Sequence, residues 1–213
     1  EDKNTELFLT NKDLAFAPIA QARAEVGEMI QSIGISVVDD PQCYTMDFAT
    51  LTAENQKQYE QLLAEQEMLG GLEQEGYEIQ MPTVTAENEC YLFFYPIAID
   101  GMPVSPSESG LFDDGSMMGG TELVVCYSKD GVVGMMLEYQ LDVVEKLEGQ
   151  QGIGLEEALK LVEAKYDALI LDGDYLIYDI RLEYIPIRVF DQENTYTLAP
   201  AWRFSVEHKY EVW

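Results

Sequence analysis

The sequence has 213 residues, of which 47% are hydrophobic and 11% aromatic, enough apolar material for one large domain or two small ones and too much for a globally disordered chain. Its 40 acidic residues against 12 basic ones give a net charge of −28, a surface that repels phosphate backbones and anionic lipid headgroups, so no nucleic-acid partner is expected. No apolar run reaches the roughly 18 residues that a membrane span requires.

The first predicted unit begins with a helix from Pro18 to a candidate glycine C-cap at Gly34. Strands are predicted over 35–38 and 43–48, joined by a turn at Asp39-Asp40-Pro41. The order helix, strand, turn, strand suggests that this half and the C-terminal half are related units. The helix is expected to bury one apolar stripe, formed by Ile19, Ala22, Val26, Met29, Ile30 and Ile33.

A second helix is predicted over 53–69, rich in Glu and Gln and with a thin apolar face. We interpret it as an inserted surface helix, and a coiled-coil partner helix is the alternative. The apolar face consists of Tyr59, Leu62, Leu63 and Met68.

The middle of the chain predicts further strands. A short strand is expected over 77–81 and a central one over the apolar run 90–99, followed by a tight turn at Asp100-Gly101. The Pro-, Ser- and Gly-rich segment 105–120 predicts a long loop. A hairpin then pairs 123–128 with the residues from Val132 onward, where Leu137, Tyr139, Leu141 and Val143 continue an alternating pattern.

The last stretch changes period from helical to alternating. Leu155, Ala158, Leu159, Val162 and Tyr166 recur at helical spacing, with Glu156 and Glu157 in the first turn, where carboxylates complement the helix dipole. Two alternating strands follow, separated by a turn at 191–194. This pattern predicts a helix laid across the apolar face of an antiparallel hairpin. That face would comprise Leu176, Tyr178, Ile180, Leu182 and Tyr184 on one strand and Tyr196, Leu198, Pro200, Trp202, Phe204 and Val206 on the other.

The same stretch resembles a known family. The residues that carry the likeness are Glu156 to Leu159, Leu182, Tyr184, Pro186, Tyr196, Leu198, Pro200, Ala201, Trp202 and Phe204. They are similar to the YycH/YycI group of extracytoplasmic regulatory proteins and lipoproteins of Gram-positive bacteria, which contain PepSY-like helix-plus-hairpin units. The sequence departs from that pattern at Trp213, where a further strand would be expected.

The resemblance implies a secreted or lipid-anchored protein whose export segment has been removed, which fits a sequence that starts at Glu1. It also implies contact with an envelope protein such as a sensor kinase or a cell-wall enzyme. Membrane association would then occur only through the removed N-terminal anchor.

The predicted fold class is α+β, with two helix-plus-antiparallel-sheet units, PepSY/YycI-like, one inserted surface helix and one long loop. Residues 1–148 would form the N-terminal unit, with helix 53–69 and loop 105–120, and residues 149–213 the C-terminal unit.

Residue types that carry chemistry are scarce. The one histidine, His208, falls in the predicted last strand between Glu207 and Lys209, which favours a structural or exposed role over that of a hydrolase base. No zinc ligand set such as HExxH is present, so we predict no catalytic, cofactor-binding or metal-binding residue and no cofactor. Turn-forming Asp and Gly explain 113–116 and 172–174, which otherwise offer oxygen ligands for calcium without a complete EF-hand loop. Gly152 to Gly154 mark a helix start rather than a phosphate-binding loop.

The three cysteines give no disulfide framework and no metal knuckle. A Cys43–Cys90 bridge is possible if their strands pair, and Cys126 is expected to act as a small buried hydrophobe.

These observations predict a non-enzymatic, extracytoplasmic interaction or regulatory module that acts through protein–protein contacts. The alternative is a ligand- or calcium-binding surface lipoprotein that uses an acidic cleft between the two halves.

Overall fold

The computed structural model describes residues 12–68, 81–105, 121–138, 140–147, 152–169, 173–189, 192 and 195–209. The predicted loop at 105–120 and the predicted strand at 77–81 lie almost wholly outside these residues. The three described α-helices are α1 (Ile19–Ile33), α2 (Phe48–Met68) and α3 (Leu155–Asp167). The strands are β1 (Gln42–Met46), β2 (Cys90–Pro96), β3 (Ala98–Ile99), β4 (Met102–Pro103), β5 (Glu122–Ser128), β6 (Gly131–Glu138), β7 (Asp174–Arg188) and β8 (Tyr196–Lys209).

The chain has an α+β fold, as predicted: helices accompany one four-stranded and two two-stranded sheets. By compactness it divides into two units. Unit 1 comprises the described residues of Glu1–Ile35, Asp39–Tyr95 and Leu123–Leu137, and unit 2 those of Ser36–Val38, Pro96–Glu122 and Glu138–Trp213. The predicted boundary at 148–152 lies mostly outside the described residues and stays a prediction.

The core of unit 1 lies on one face of a sheet with the strand order β1-β2-β5-β6. Successive side chains of a strand point to opposite faces, so residues two apart share a face. α1 lies on the core face, because Glu25 of the helix accepts a hydrogen bond of 2.6 Å from Tyr127 of β5. The core face is lined by Tyr91, Phe93 and Tyr95 of β2 and by Leu123, Val125 and Tyr127 of β5, all at most 5% exposed.

α1 confirms the first predicted helix. It ends at Gly34, whose φ of 75° is the left-handed conformation that glycine adopts without steric cost. Ala22, Val26 and Ile30 are buried in the middle of the predicted stripe. Ile33 is 46% exposed, so the stripe does not continue to the end of the helix.

The predicted strand at 35–38 is wrong. Within it, Val37 forms a single bridge to Ile97. β1 pairs instead with β2, antiparallel, with Met46 opposite Cys90. β1 forms five residue pairs with β2, a buried strand that is distant in sequence. The segment 35–38, although it is close in sequence, is too short to form a ladder of that length.

The predicted continuation of the hairpin beyond Leu137 is also wrong. β6 ends at Glu138, and residues 140–147 are irregular, with Val144 90% exposed. The alternating pattern does not become a strand, because nothing described pairs with it. The turn at Asp100-Gly101 is confirmed, with φ angles of 52° and 80°, and joins β3 to β4.

α2 begins five residues before the predicted start. The Asp47 carboxylate accepts a hydrogen bond from the Thr50 backbone N–H (2.8 Å), which makes Asp47 the N-cap. Its other oxygen pairs with Lys12. These contacts hold the pKa of Asp47 at about 2, well below its usual range, with the Lys12 hydrogen bond as the largest cause. As predicted, the body of α2 is largely exposed.

In unit 2, β7 and β8 form the predicted long antiparallel hairpin, with Leu182 opposite Trp202. The register shifts between Ile177 and Asp179, so Tyr178 is the extra residue of a β-bulge and is 67% exposed. Because the register shifts by one residue, the residues of β7 before the bulge lie on the opposite faces from those that simple alternation predicts. The predicted assignment of Leu176 to the apolar face is therefore wrong: it lies opposite Glu207.

α3 contacts the hairpin at two places. The Trp202 indole N–H donates a hydrogen bond of 2.9 Å to the Ile153 carbonyl just before the helix, and the Tyr166 ring lies 5.2 Å from that of Tyr175. Ala158 is the buried residue of α3, whereas Leu155 is 38% exposed. The predicted packing of this helix face on the hairpin is therefore only partly correct.

The bridge between Val104 and Tyr184 ties the β3–β4 segment to the hairpin. The Ser105 N–H also donates to the Tyr184 carbonyl at 2.8 Å. Glu183, predicted on the polar face, is only 3% exposed, and its carboxylate lies 3.7 Å from the Arg203 guanidinium.

The Tyr91 hydroxyl closes the turn before α1, accepting from the Leu14 N–H (2.5 Å) and donating to the Ala17 carbonyl (2.7 Å). We expect Tyr91→Phe to lower the free energy of unfolding by about 1–3 kcal/mol, because both buried backbone groups lose their partner. Tyr178→Phe, at a side chain that is 67% exposed, is the matched control and should change it by about 0.5 kcal/mol or less. Urea unfolding measures both, and equal effects would contradict the assignment.

The lowered pKa of Asp47 predicts how the free energy of unfolding changes with pH. Its folded-state pKa is depressed, so its stabilisation is fully present above about pH 4 and is lost as pH falls toward about 2. Asp47→Asn keeps the cap but not the charge, so its stability should fall less than that of the wild type over this interval. Asp47→Ala should cost about 0.5–2 kcal/mol at neutral pH. Parallel pH profiles for wild type and Asp47→Asn in acid unfolding would rule out this role.

Candidate interaction surface and thiol pair

β6, one of the two outer strands of the unit 1 sheet, is exposed on both of its faces. Val133 and Met135 on one face are 57% and 48% exposed, and Val132 and Met136 on the other are 38% and 53% exposed. β6 is last in the strand order, and among the described residues no strand pairs with its outer edge. We call Gly131–Leu137 the open edge.

Charges, proline or a covering element usually protect an edge strand. The open edge has no proline, and among the described residues no strand pairs with its outer side. Its seven residues, GVVGMML, carry no charge, although 24% of the whole chain is charged. The unpaired backbone groups of an edge strand can form a further ladder with an extended segment. The open edge is therefore chemically suited to strand addition.

The second face of the sheet, opposite α1, is apolar and half-buried. Leu92 and Phe94 of β2 lie on it, with Tyr44 of β1 packed edge-on against Phe94 at a ring distance of 5.4 Å. β5 lies between β2 and β6 and places Cys126 on this same face.

Cys90 and Cys126 meet on the second face from neighbouring strands. The Cys90 side chain, through hydrogen bonding, holds the pKa of Cys126 below its usual range. The same bond and burial raise the pKa of Cys90. Cys90 is buried, and Cys126 is half-buried.

The possible Cys43–Cys90 bridge is not present, and all three cysteines are free. Cys43 lies opposite Phe93, three positions along β2 from Cys90, and so on the other face of the sheet. Burial raises the pKa of Cys43 to about 11. Cys126, expected to be a buried small hydrophobe, is half-buried.

The sequence-predicted metal candidates lie largely outside the described residues. Segment 113–116 is outside, as is Asp172, and Gly173 is exposed. Among the described side chains no group of three or more His, Cys, Asp or Glu could hold a metal ion. The backbone of His208 pairs with that of Tyr175. Gly154 is the N-cap of α3, which confirms that 152–154 is a helix start.

The described residues line two shallow grooves, one in each unit. One in unit 1, of about 290 Å³, lies between the start of α2 and the segment 81–84 and is lined by Phe48, Thr52, Asn55 and Met81 among others. One in unit 2, of about 350 Å³, lies beside Tyr178, Val206 and Glu207. Both are open and mainly apolar or mixed, without the converging polar groups of an enclosed active site.

None of the helices that the structure describes combines the length and the hydrophobicity needed to cross a bilayer.

Comparison with known proteins yields one structural relative. No family model matches the sequence, and no curated protein matches it. The fold is similar to the crystal structure of an uncharacterized protein from Eubacterium rectale ATCC 33656, with a TM-score of 0.65 and 18% identity. The match covers 97% of this chain and 52% of that one, so the chain spans about half the length of its structural neighbour. At this identity the likeness shows a shared fold alone.

Sequence reasoning missed both features of this surface. The charge-free run at Gly131–Leu137 is visible in the sequence, but by itself it predicts only the second strand of a hairpin. Only the sheet order shows that it is the last strand and that Cys90 and Cys126, 36 positions apart, are neighbours.

Proposed function

We propose that the chain is a non-enzymatic interaction module that binds an extended segment of a partner protein along the open edge of β6. The observation that carries this proposal is the combination of a terminal strand position, exposure on both faces and absence of charge at Gly131–Leu137. The partner would add one strand to the sheet through main-chain hydrogen bonds.

The side chains of the open edge suit a partner of apolar character. Met135 and Met136 are unbranched and polarizable, so they can adjust to partner side chains of different shapes. Val132 and Val133 favour the extended backbone that a ladder requires. The acidic surface of the whole chain favours a partner segment flanked by basic residues and slows association with other acidic proteins.

The proposed location is the cell envelope, with the protein secreted or lipid-anchored. Support comes from the resemblance of the last sixty residues to YycH/YycI-like, PepSY-like regulatory proteins. A partner of that kind would be an envelope protein, such as a sensor kinase or a cell-wall enzyme. The structural relative has no assigned activity and adds nothing to this choice.

The proposal is tested with peptides selected from a random-sequence library against the whole chain. Selected peptides are expected to slow hydrogen exchange at the backbone amides of β6. The double substitution Val133→Lys/Met135→Lys should weaken their binding at least about tenfold, or about 1.4 kcal/mol, because apolar contacts are lost on one face of the edge.

The matched control changes two exposed leucines of α2, Leu62 and Leu63, to lysine. This control adds the same charge to the same unit, so any effect of overall charge on association appears in both variants. Because Leu62 and Leu63 lie outside the open edge, the control should bind within about twofold of the wild type. Circular dichroism verifies that both variants are folded. Equal weakening by both pairs, or protection confined to other strands, would contradict docking at the open edge.

A further inference from the structure

Gly134 leaves a gap in the middle of the open edge. The residue is exposed, and a Cβ built on it would lie 3.7 Å from the Cβ of Cys126 on β5. Two side chains so close across neighbouring strands share a face of the sheet. Residues two apart on a strand also share a face, so the exposed Val132 and Met136 flank the gap along β6. We call this gap the notch: the Gly134 backbone is its floor, Cys126 its inner wall, and Val132 and Met136 its two ends.

The fold itself does not require a glycine at this position. Gly131, in the turn before it, has a φ of 87°, whereas the φ of Gly134 lies outside the left-handed region that favours glycine. The 3.7 Å separation from Cys126 is an ordinary van der Waals contact, so a side chain would fit. Glycine is also a poor strand former. Within the described part of the chain neither conformation nor crowding accounts for the glycine, whereas a partner that approaches closely does.

A strand added to the open edge would bring a side chain over the notch. Neighbouring strands lie about 4.8 Å apart, so a large side chain opposite Gly134 has to cross only one strand to reach Cys126. An aromatic residue suits this position, because a ring placed opposite an edge glycine covers it and restores the missing cross-strand contact. Met136 would contribute as well, since a methionine sulfur makes favourable contacts with ring edges.

The chemistry of the notch narrows the choice of occupant. Its walls are apolar, so a charged side chain would lose hydration there without gaining a partner, and a small one would leave Cys126 uncovered. A second copy of this chain does not fit either. Its own open edge, Gly131–Leu137, contains no aromatic residue, and each copy carries a net charge of −28, which opposes association.

We propose that the notch at Gly134 selects the partner of the open edge, which is an apolar extended segment of another protein with an aromatic residue opposite Gly134. This inference rests on the proposed strand addition at β6 and names the side chain that the added strand supplies.

The first measurement compares stability with affinity. Peptides are selected from a random-sequence library against the whole chain, and those that slow amide hydrogen exchange in β6 are kept. Gly134→Val should raise the urea midpoint of the free chain, because valine favours a strand. The same variant should bind the kept peptides at least about tenfold more weakly, because its methyl groups fill the notch. Gly134→Ala adds a single methyl group and should weaken binding by about threefold.

Gly27→Ala in α1 is the matched control. A Cβ built on Gly27 has no described heavy atom within 4 Å, so alanine fits there and favours the helix. This variant should also raise the urea midpoint but bind the peptides within about twofold of the wild type, because it lies away from the open edge. Circular dichroism verifies the fold of every variant, and Gly134→Ala carries the comparison if Gly134→Val does not fold.

A double-mutant cycle identifies the side chain that occupies the notch. Each kept peptide is resynthesised with its aromatic residue changed to alanine. The change should weaken binding to the wild type at least about tenfold and binding to Gly134→Val less than about twofold, because in the variant the notch is already filled. In the wild-type complex, nuclear Overhauser contacts should connect the aromatic ring with the Hα atoms of Gly134.

Peptides that protect β6 without an aromatic residue, or that bind Gly134→Val as tightly as the wild type, would overturn the role of the notch and leave strand addition intact. Equal losses in the two arms of the cycle would overturn it too. A lower urea midpoint for Gly134→Val would show that the fold needs the glycine, with the same consequence. Peptides that protect no amide of β6 would contradict strand addition itself, and the notch with it.

Discussion

The packing of β2 against the rest of unit 1 is the constraint on which the other features depend. Tyr91, Phe93 and Tyr95 are essentially inaccessible to solvent, and Tyr91 also satisfies two backbone groups in the turn before α1. Burying three aromatic side chains contributes more apolar area than any other strand of the unit can offer, so it fixes which face of the sheet carries α1. Once that face is fixed, alternation along the strands determines the second face. Cys90, Leu92 and Phe94 must then lie opposite α1, and Cys90 meets Cys126 there because β5 is next in the sheet.

The same constraint explains why β6 is open. α1 covers the core face over β2 and β5, where Tyr127 contacts Glu25, whereas the apolar side chains of β6 are exposed on both faces. A strand without charges that is held in the sheet along one edge, and that no described strand pairs with along the other, can recruit a further strand. Gly134 of that edge lies beside Cys126 of β5, where a Cβ would be 3.7 Å from the Cβ of the cysteine. In unit 2, the β-bulge at Tyr178 adds one residue to β7, so the residues of β7 before the bulge lie on the faces opposite to those that simple alternation predicts.

Local sequence pattern predicted the elements whose determinants are local. α1 and its Gly34 cap, the Asp100-Gly101 turn, the β5–β6 hairpin and the long β7–β8 hairpin could all be inferred from spacing and turn chemistry. The fold class followed from the same patterns. What could not be predicted depends on partners distant in sequence: the pairing of β1 with β2, the Lys12 contact that assists the Asp47 cap, and the meeting of Cys90 with Cys126. The predicted strand at 35–38 was wrong for that reason, since local apolar content says nothing about whether a longer ladder is available elsewhere. The YycH/YycI-like kinship rests on residues of the last sixty positions and stays a prediction.

Amide hydrogen exchange of the isolated whole chain tests the central claim most directly. If β6 is an open edge on a sheet anchored by β2, the amides of β2 and β5 should be the slowest in unit 1. Alternate amides of β6, those that point away from β5, should exchange at least about a hundredfold faster than the amides of β2. Protection of every β6 amide at the level of β2 would mean that the edge is already covered in the free protein, and the account of an accessible strand would be contradicted.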